Sequence, residues 1–114
     1  MVQLVKKDWG SEEWLINNEL YCCKYLNLKK DYRCSIHYHI DKDETFYILK
    51  GEVLLELFGT SKIMKKGDVY RITPYTLHRF IGIKDSVILE VSTHHDDNDS
   101  YRILVGGKIP LGGP

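Results

Sequence analysis

Short apolar runs broken by turn residues are the feature that most restricts the fold of this chain. Runs such as YCCKYLNL (21–28), TFYILK (45–50) and SVILEVS (86–92) are strand length and rich in Val, Ile, Leu, Tyr and Phe. Stretches such as KKGD (65–68) and TPY (73–75) separate them as turns. About eight runs of this kind predict an all-β jelly roll or small antiparallel barrel, with room inside for one small ligand.

The two ends of the chain differ from this pattern. We expect the whole chain to be one domain, with a barrel core at about 20–95, an N-terminal arm at 1–19 and a C-terminal tail at 104–114. The tail is rich in Gly and Pro, which predicts an extended or disordered segment. The best helix candidate is SEEWLINN (11–18), with Ser11 as a possible N-cap, although it is barely two turns long.

The charge balance argues against some classes of partner. Lys and Arg total 16, and Asp and Glu also total 16. A nucleic acid or an anionic membrane surface requires a basic face, so we expect neither as a partner. A net charge of zero does little to oppose self-association, and a homodimer is compatible with it.

Compartment is inferred from cysteine usage and from the N-terminus. The three cysteines are odd in number and show no CxxC spacing, so disulfides are not expected. The first residues have no apolar stretch of signal-peptide length, and no apolar run reaches the roughly 20 residues that span a bilayer. We therefore expect a cytoplasmic protein.

Two histidines and a glutamate form the main candidate for chemistry. His37 and His39 are two residues apart, so on a strand both side chains point to one face. Glu44 follows a short turn, and His78 opens a later strand. Three imidazoles and one carboxylate would leave positions open on a divalent transition metal such as Zn, Mn, Fe, Co or Ni. The alternative is a set of solvated or hydrogen-bonded histidines, because HxH alone is a weak signal.

These residues resemble the two motifs of the cupin superfamily. HYHIDKDETFYILKG fits HxH-x4-E-x6-G with His37, His39, Glu44 and Gly51 in register, and GDVYRITPYTLH is similar to the second motif through Gly67, Asp68 and His78. The resemblance covers about residues 20–95. It implies a single-domain jelly-roll barrel with a metal held by His37, His39, Glu44 and His78.

Three turn positions depart from the motifs. Asp31 and Tyr75 stand where the family usually has glycine, and Thr73 stands where it usually has its first proline. None of the three is a ligand, so they put the shape of the loops in doubt and leave the metal set intact. Gly51 and Gly67 are expected to serve turns that need a positive φ.

Two longer stretches resemble the cupin domain of type II mannose-6-phosphate isomerases. Residues 6–51 are similar over their whole length, and residues 90–103 are similar to the segment after the last barrel strand, with an acid three residues before an arginine, here Asp99 and Arg102. The alternative for 90–103 is a solvated surface loop. His94 and His95 are then either functional groups or ordinary loop histidines.

The resemblance implies an isomerase of a sugar or sugar phosphate that works through a metal-stabilised enediolate. The candidate bases are a metal-bound hydroxide, His95 and Glu44, and Arg102 would hold a phosphate or carboxylate. Two other functions stay open. One is an Fe(II)-dependent dioxygenase of a small molecule, and the other is a non-catalytic module that binds a carbohydrate or another small molecule.

Cupins are often dimers, and the resemblance implies a homodimer here. An uncovered edge strand at YCCKYLNL would be its natural seam. Trp9 and Trp14 precede the barrel strands and are expected to cover an edge or a dimer contact, whereas Phe46 and Phe80 are expected to fill the barrel.

Overall fold

A computed structural model describes residues 2–110 as two antiparallel β-sheets packed face to face. The strands are β1 (Gln3–Lys7), β2 (Gly10–Asn17), β3 (Cys22–Leu28), β4 (Tyr32–Arg33), β5 (Ile36–Tyr38), β6 (Glu44–Lys50), β7 (Glu52–Leu57), β8 (Thr60–Lys65), β9 (Val69–Ile72), β10 (His78–Gly82), β11 (Ser86–Ser92), β12 (Tyr101–Leu104) and β13 (Gly107–Lys108). A short 3₁₀ turn at Asp97–Asp99 lies between β11 and β12.

The order of strands defines the two layers. The first sheet runs β1-β2-β3-β11-β6-β9, and the second runs β12-β5-β10-β4-β13, with β7 paired to β10 and β8 paired to β7. This arrangement confirms the prediction of an all-β jelly roll. Within residues 2–110, no helix is long and apolar enough to cross a membrane.

Alternation along the strands builds the core between the sheets. In β3, burial alternates strictly, so one set of side chains points inward and the other points outward. Successive side chains of a strand point to opposite faces, and the apolar inward set therefore packs against the facing sheet. The core comprises Trp9, Leu26, Leu28, Cys34, Phe46, Ile48, Val53, Leu55, Met64, Ile72, Phe80 and Ile88.

The predicted helix at 11–18 is wrong, because this segment is the strand β2. Its inward positions are Glu12 and Trp14, and the Trp14 Nε1–H donates to Glu12 Oε1 at 2.7 Å. The pairing with β3 is irregular between Trp14 and Ile16, so an extra residue interrupts the alternation that would have marked a strand. Within the predicted N-terminal arm, β1 and β2 extend the first sheet.

The prediction that YCCKYLNL is an uncovered edge is also wrong. These residues form β3, which pairs with β2 on one side and β11 on the other. Trp9 does not cover an edge either, since it is buried and its ring packs edge-on against Phe80 at 5.1 Å between centroids. Phe46 and Phe80 lie in the core, as predicted.

Asp31 and Tyr75 keep a positive φ at the two turns where the motifs usually have glycine. Asp31 has φ 68° and Tyr75 has φ 65°, both in the left-handed region that glycine adopts most easily. The Tyr75 N–H donates to the His39 carbonyl at 2.7 Å, so this turn contacts the HxH segment directly. Gly51 and Gly67 have φ 90° and 92°, which confirms their predicted turn role.

The start of the predicted C-terminal tail contacts the second sheet. β13 pairs with β4, and the Ile109 N–H donates to the Asp31 carbonyl at 2.8 Å. The remainder of the predicted tail, 111–114, lies outside the described residues.

Candidate metal centre

Three histidines meet at one point inside the barrel. His37 lies in β5, His39 follows that strand directly, and His78 opens β10 as the register partner of His37. One nitrogen from each ring lies within 4.8 Å of the other two, which is compatible with a shared divalent cation. The HxH spacing and the antiparallel pairing of β5 with β10 together produce this arrangement.

Each of these rings is oriented by a hydrogen bond from its Nδ1–H to a backbone carbonyl. The acceptors are Ser35 for His37 (2.8 Å), Thr76 for His78 (2.9 Å) and Asp99 for His39 (2.8 Å). Because Nδ1 is the donor in each ring, the neutral form of each ring has its free lone pair on Nε2. This is the orientation that metal-binding histidines adopt in proteins.

Glu44 completes a convergence of acceptor atoms. Its Oε2 lies 3.0 Å from Nε2 of His39 and 3.3 Å from Nε2 of His78. The Glu44 Oε2 and the His78 Nε2 are buried, and neither has a hydrogen-bond partner within residues 2–110. Lone pairs facing a carboxylate without a donor between them are costly to bury, and a cation removes that cost. The residues therefore fit a divalent metal.

Protonation states support the same conclusion. Burial, together with the neighbouring His78, lowers the pKa of His37 to about 3, so this ring is neutral at physiological pH. Burial alone would raise the pKa of Glu44, but the nearby Lys42 ammonium holds it well below its ordinary value. A neutral imidazole and an ionised carboxylate are the forms that bind metal.

A cavity of about 420 Å³ lies over this centre. The wall beyond the histidines carries two buried lysines that face carboxylates. Lys42 Nζ is 2.8 Å from Glu90 Oε2 and 3.7 Å from Glu44 Oε1, and Lys24 Nζ is 3.4 Å from Glu12 Oε1. Lys24 also lies over the Trp14 ring at 4.2 Å from its centroid. The cavity is therefore polar and already contains both signs of charge.

Sequence reasoning missed this polar wall. The available signal was alternation, because Lys24 shares the inward face of β3 with Leu26, and Glu90 shares the inward face of β11 with Ile88. A charged residue in register with core positions indicates either a buried ion pair or a site.

His95 lines the cavity at the end nearest Lys42. The Lys42 ammonium donates to His95 Nδ1 at 3.1 Å, so the His95 Nε2–H donates to Asp97 Oδ1 at 2.7 Å. Burial and the nearby Lys42 and Lys24 lower the pKa of His95. The ring is thus neutral at physiological pH. His94 lies outside the cavity, where its Nδ1–H donates to the Asn18 carbonyl at 2.7 Å.

Arg102 and Asp99, which the sequence analysis considered together, lie in different parts of the site. Arg102 is an exposed residue of β12, in register with His37, and it lines the cavity at its rim. The Asp99 carboxylate accepts backbone N–H groups from the turn formed by Ile40, Asp41 and Lys42 at 2.8–3.2 Å. The segment after β11 is therefore bound to the loop that carries the site and does not hang free.

Comparisons with known proteins agree with this architecture. A protein from Aquifex aeolicus (strain VF5), described only as uncharacterized, is 38% identical over 69 residues, which cover 59% of this chain and 57% of that protein. The chain thus spans little more than half the length of this relative. D-lyxose ketol-isomerase from Thermofilum sp. (strain ex4484_79) is 28% identical over 83% of this chain and 69% of its own length.

Solved structures show the same fold at lower identity. KdgF from Halomonas sp. superposes with a TM-score of 0.72 at 17% identity, covering 77% of this chain and 81% of KdgF. The family model described as Cupin domain matches residues 25–94, which include the three histidines and Glu44. The chain therefore belongs to the cupin domain family.

Proposed function

We propose that this protein is a metal-dependent isomerase that interconverts the aldose and ketose forms of a small sugar. The observation that carries the proposal is the convergence of three imidazole lone pairs and the Glu44 carboxylate at the base of a polar cavity. The similarity to a D-lyxose ketol-isomerase over most of the chain supports the choice of reaction.

His37, His39, Glu44 and His78 would hold the divalent metal. A bound metal would supply Lewis acidity that polarises the sugar carbonyl and its adjacent hydroxyl and offsets the negative charge of an enediolate. The metal's identity, whether Zn, Mn, Fe or Ni, does not follow from this set of ligands.

The groups opposite the metal set are suited to moving protons. His95, neutral by the arguments above, and the buried Glu90 carboxylate are proton acceptors on the cavity wall. Lys42 stands between them and keeps its proton, since its ion pairs with Glu90 and Glu44 outweigh burial and raise its pKa. In the proposal, Glu90 takes the proton from the carbon next to the carbonyl and returns it to the former carbonyl carbon, while Lys42 donates to the oxygen on which charge develops. His95 could replace Glu90 only if Lys42 released its Nδ1.

Arg102 would bind the far end of the substrate. Its guanidinium is exposed at the cavity rim, where it could pair with a phosphate or carboxylate. The buried cations Lys24 and Lys42 already face carboxylates, so an anionic substituent is better accommodated at Arg102 than deep in the cavity. Both free sugars and sugar phosphates therefore belong in the assay.

The test is an isomerisation assay on purified protein after its metal content has been measured. Free and phosphorylated aldoses are incubated with protein that has been loaded separately with Zn, Mn, Fe, Co or Ni, and ketose formation and deuterium uptake from D₂O at C1 of the ketose are followed by NMR. We expect metal-dependent turnover that falls at least about 100-fold in His39→Ala. The matched control is His94→Ala, which removes a histidine outside the cavity and should retain both metal and activity.

Other outcomes decide against the proposal. Oxygen consumption with iron, without isomerisation, would identify a dioxygenase. Sugar binding without turnover under any metal would identify a non-catalytic binding protein.

A further inference from the structure

A second cavity, of about 180 Å³, lies where β7 turns into β8 and β10 begins. Its apolar walls are Ile36, Leu57, Phe58 and Leu77, and we call it the outer cavity. His37 lines the cavity over the metal centre, whereas Ile36, its neighbour in β5, lines the outer cavity. Successive residues of a strand point to opposite faces, so the two cavities lie on opposite sides of β5.

Arg79 is a buried cation in the wall of the outer cavity, with 6% of its surface exposed. It lies directly opposite Glu56 in the pairing of β10 with β7, and its Nη2–H donates to Glu56 Oε2 at 2.9 Å. Its Nε–H has no acceptor anywhere in the described part of the chain. Buried donors are almost always satisfied in folded proteins, because an unsatisfied one loses its bond to water and gains nothing in return.

We propose that the outer cavity binds a small, mostly apolar molecule that carries one neutral amide group. The amide carbonyl accepts from the Nε–H of Arg79, the amide NH₂ donates to the Glu56 carboxylate, and the apolar part lies against the walls.

The charge balance of the site favours a neutral ligand. Glu56 already neutralises the Arg79 guanidinium at 2.9 Å, so the ligand has to bring an acceptor oxygen but no negative charge. A carboxylate or phosphate in this position would add an unpaired negative charge between apolar walls, and burying an unpaired charge is costly.

The polar groups of the site favour an amide over other neutral groups. The Arg79 Nε–H is a donor, and Glu56, whose side chain keeps 32% of its surface exposed, lines the same cavity as an acceptor. An ionised carboxylate only accepts hydrogen bonds and a guanidinium only donates them. A carboxamide carries the complementary acceptor and donor on one carbon, whereas a ketone or ester lacks the donor.

The size and shape of the cavity limit the apolar part to about one ring. A cavity of about 150 Å³ lined by Leu, Ile and Phe is large enough to hold benzene. The outer cavity has a similar lining and about 180 Å³, which leaves room for the amide as well. Phe58 lies at its rim in the turn between β7 and β8 and is 85% exposed, so its ring is available to pack on an aromatic ligand.

The test is a titration of the ¹⁵N-labelled chain, loaded with Zn²⁺, with benzamide as the probe. The resonances followed are the Arg79 Nε–H and the backbone amides of Phe58 and Leu77. We expect saturable shifts at all three, with a dissociation constant of about 1 mM for a ligand of this size. Toluene, which lacks the acceptor, and benzoate, which adds a charge, should each bind at least about 10-fold more weakly.

Two variants test the two polar contacts separately. Arg79→Lys keeps a cation for Glu56 but removes the Nε–H, and it should weaken benzamide binding at least about 10-fold. Glu56→Gln removes the neutralising carboxylate, so benzoate should bind at least about 10-fold more tightly than to the wild type. The backbone amides of Phe58 and Leu77 report binding in both variants.

The matched control is Arg71→Lys, which alters an exposed arginine that pairs with Asp43 on β9 and does not line the outer cavity. It should leave benzamide binding unchanged, and circular dichroism confirms that each variant is folded. The absence of shifts at about 50 mM benzamide would leave a buried water as the partner of Arg79 and overturn the proposal. Shifts confined to the cavity around His37 would overturn it too, as would wild-type binding of benzoate as tight as that of benzamide, or benzamide binding that Arg79→Lys leaves intact.

Discussion

Replacing Asp99 with asparagine tests how the metal-site loop is held. The Asp99 carboxylate accepts the backbone N–H of Ile40 at 2.8 Å, of Lys42 at 3.0 Å and of Asp41 at 3.2 Å to each oxygen. Asparagine keeps the shape but replaces one oxygen with an NH₂ group. A donor then faces at least one of these N–H groups, and the remaining bonds lose the charge that strengthens them.

The expected destabilisation is about 3 kcal/mol, since a hydrogen bond to a charged group contributes about 1.5–3 kcal/mol and a buried donor is also left without an acceptor. For a domain of this size, 1 kcal/mol corresponds to about 4 °C in melting temperature, so the variant should melt about 12 °C lower.

The effect should also depend on pH. Burial raises the pKa of Asp99, but the three backbone N–H groups and His39 outweigh burial and lower it below the ordinary value of 3.8. The carboxylate therefore contributes its full stabilisation above that value and loses it as pH falls through the folded-state pKa. Asparagine does not titrate here, so the stability gap between wild type and Asp99→Asn should be constant well above pH 3.8 and narrow as the pH falls below it.

The assay is urea unfolding of metal-free protein at several pH values, followed by circular dichroism. The control is Asp96→Asn, because the exposed Asp96 carboxylate accepts only the Asn98 N–H at 2.9 Å among the side-chain bonds of residues 2–110, and its loss should cost less than about 1 kcal/mol. Equal losses in the two variants, or a gap that is constant with pH, would refute the reasoning.

Three further predictions use other parts of the molecule. Gly51→Ala should destabilise the fold by at least about 3 kcal/mol, because a side chain at φ 90° is strained and its Cβ would collide with the facing chain, 2.7 Å from the Cα of Ser86. The control Gly67→Ala, at φ 92° with open space around it, should cost about 1–2 kcal/mol in the same unfolding assay. Lys24→Met should cost about 2 kcal/mol of unfolding free energy, because it removes a buried cation from Glu12. If the double variant with Glu12→Gln loses less than the sum of the two single losses, the double-mutant cycle shows that the pair is coupled. Zn²⁺ or Mn²⁺ at about 100 times its dissociation constant should stabilise the wild type by about 2.7 kcal/mol, and His78→Ala should abolish this gain; an equal gain in the variant would place the ion elsewhere.

Much of the fold could be predicted because inward and outward residues alternate along strands such as β3 and β11. The segment 11–18 was misread for a physical reason. Its inward residues are Glu12 and Trp14, which hydrogen-bond to each other, and the bulge after Trp14 shifts the register. A strand with a polar inward face and an extra residue has no visible alternation.

The histidines of the site could be predicted because their spacing is a recognisable motif. The ion pairs of the cavity wall could not, because their members lie far apart in the sequence. HxH and the later histidine identified His37, His39 and His78, which the structure brings together. Lys42 and Glu90 are 48 positions apart by number, and their ion pair follows only from the way β6 and β11 pair across the sheet. No local pattern contains that information.

The three imidazoles differ in how far along the chain their carbonyl acceptors lie. His37 and His78 are oriented by residues two positions earlier, so their rotamers are determined as soon as their strands form. His39 is oriented by Asp99, 60 positions later. Opening of the 96–104 segment, which includes the edge strand β12, would remove the acceptor that orients His39 while the remaining strands stay paired. The rate at which this protein exchanges its metal ion should therefore follow the local opening of that segment, and not the much slower global unfolding of the barrel.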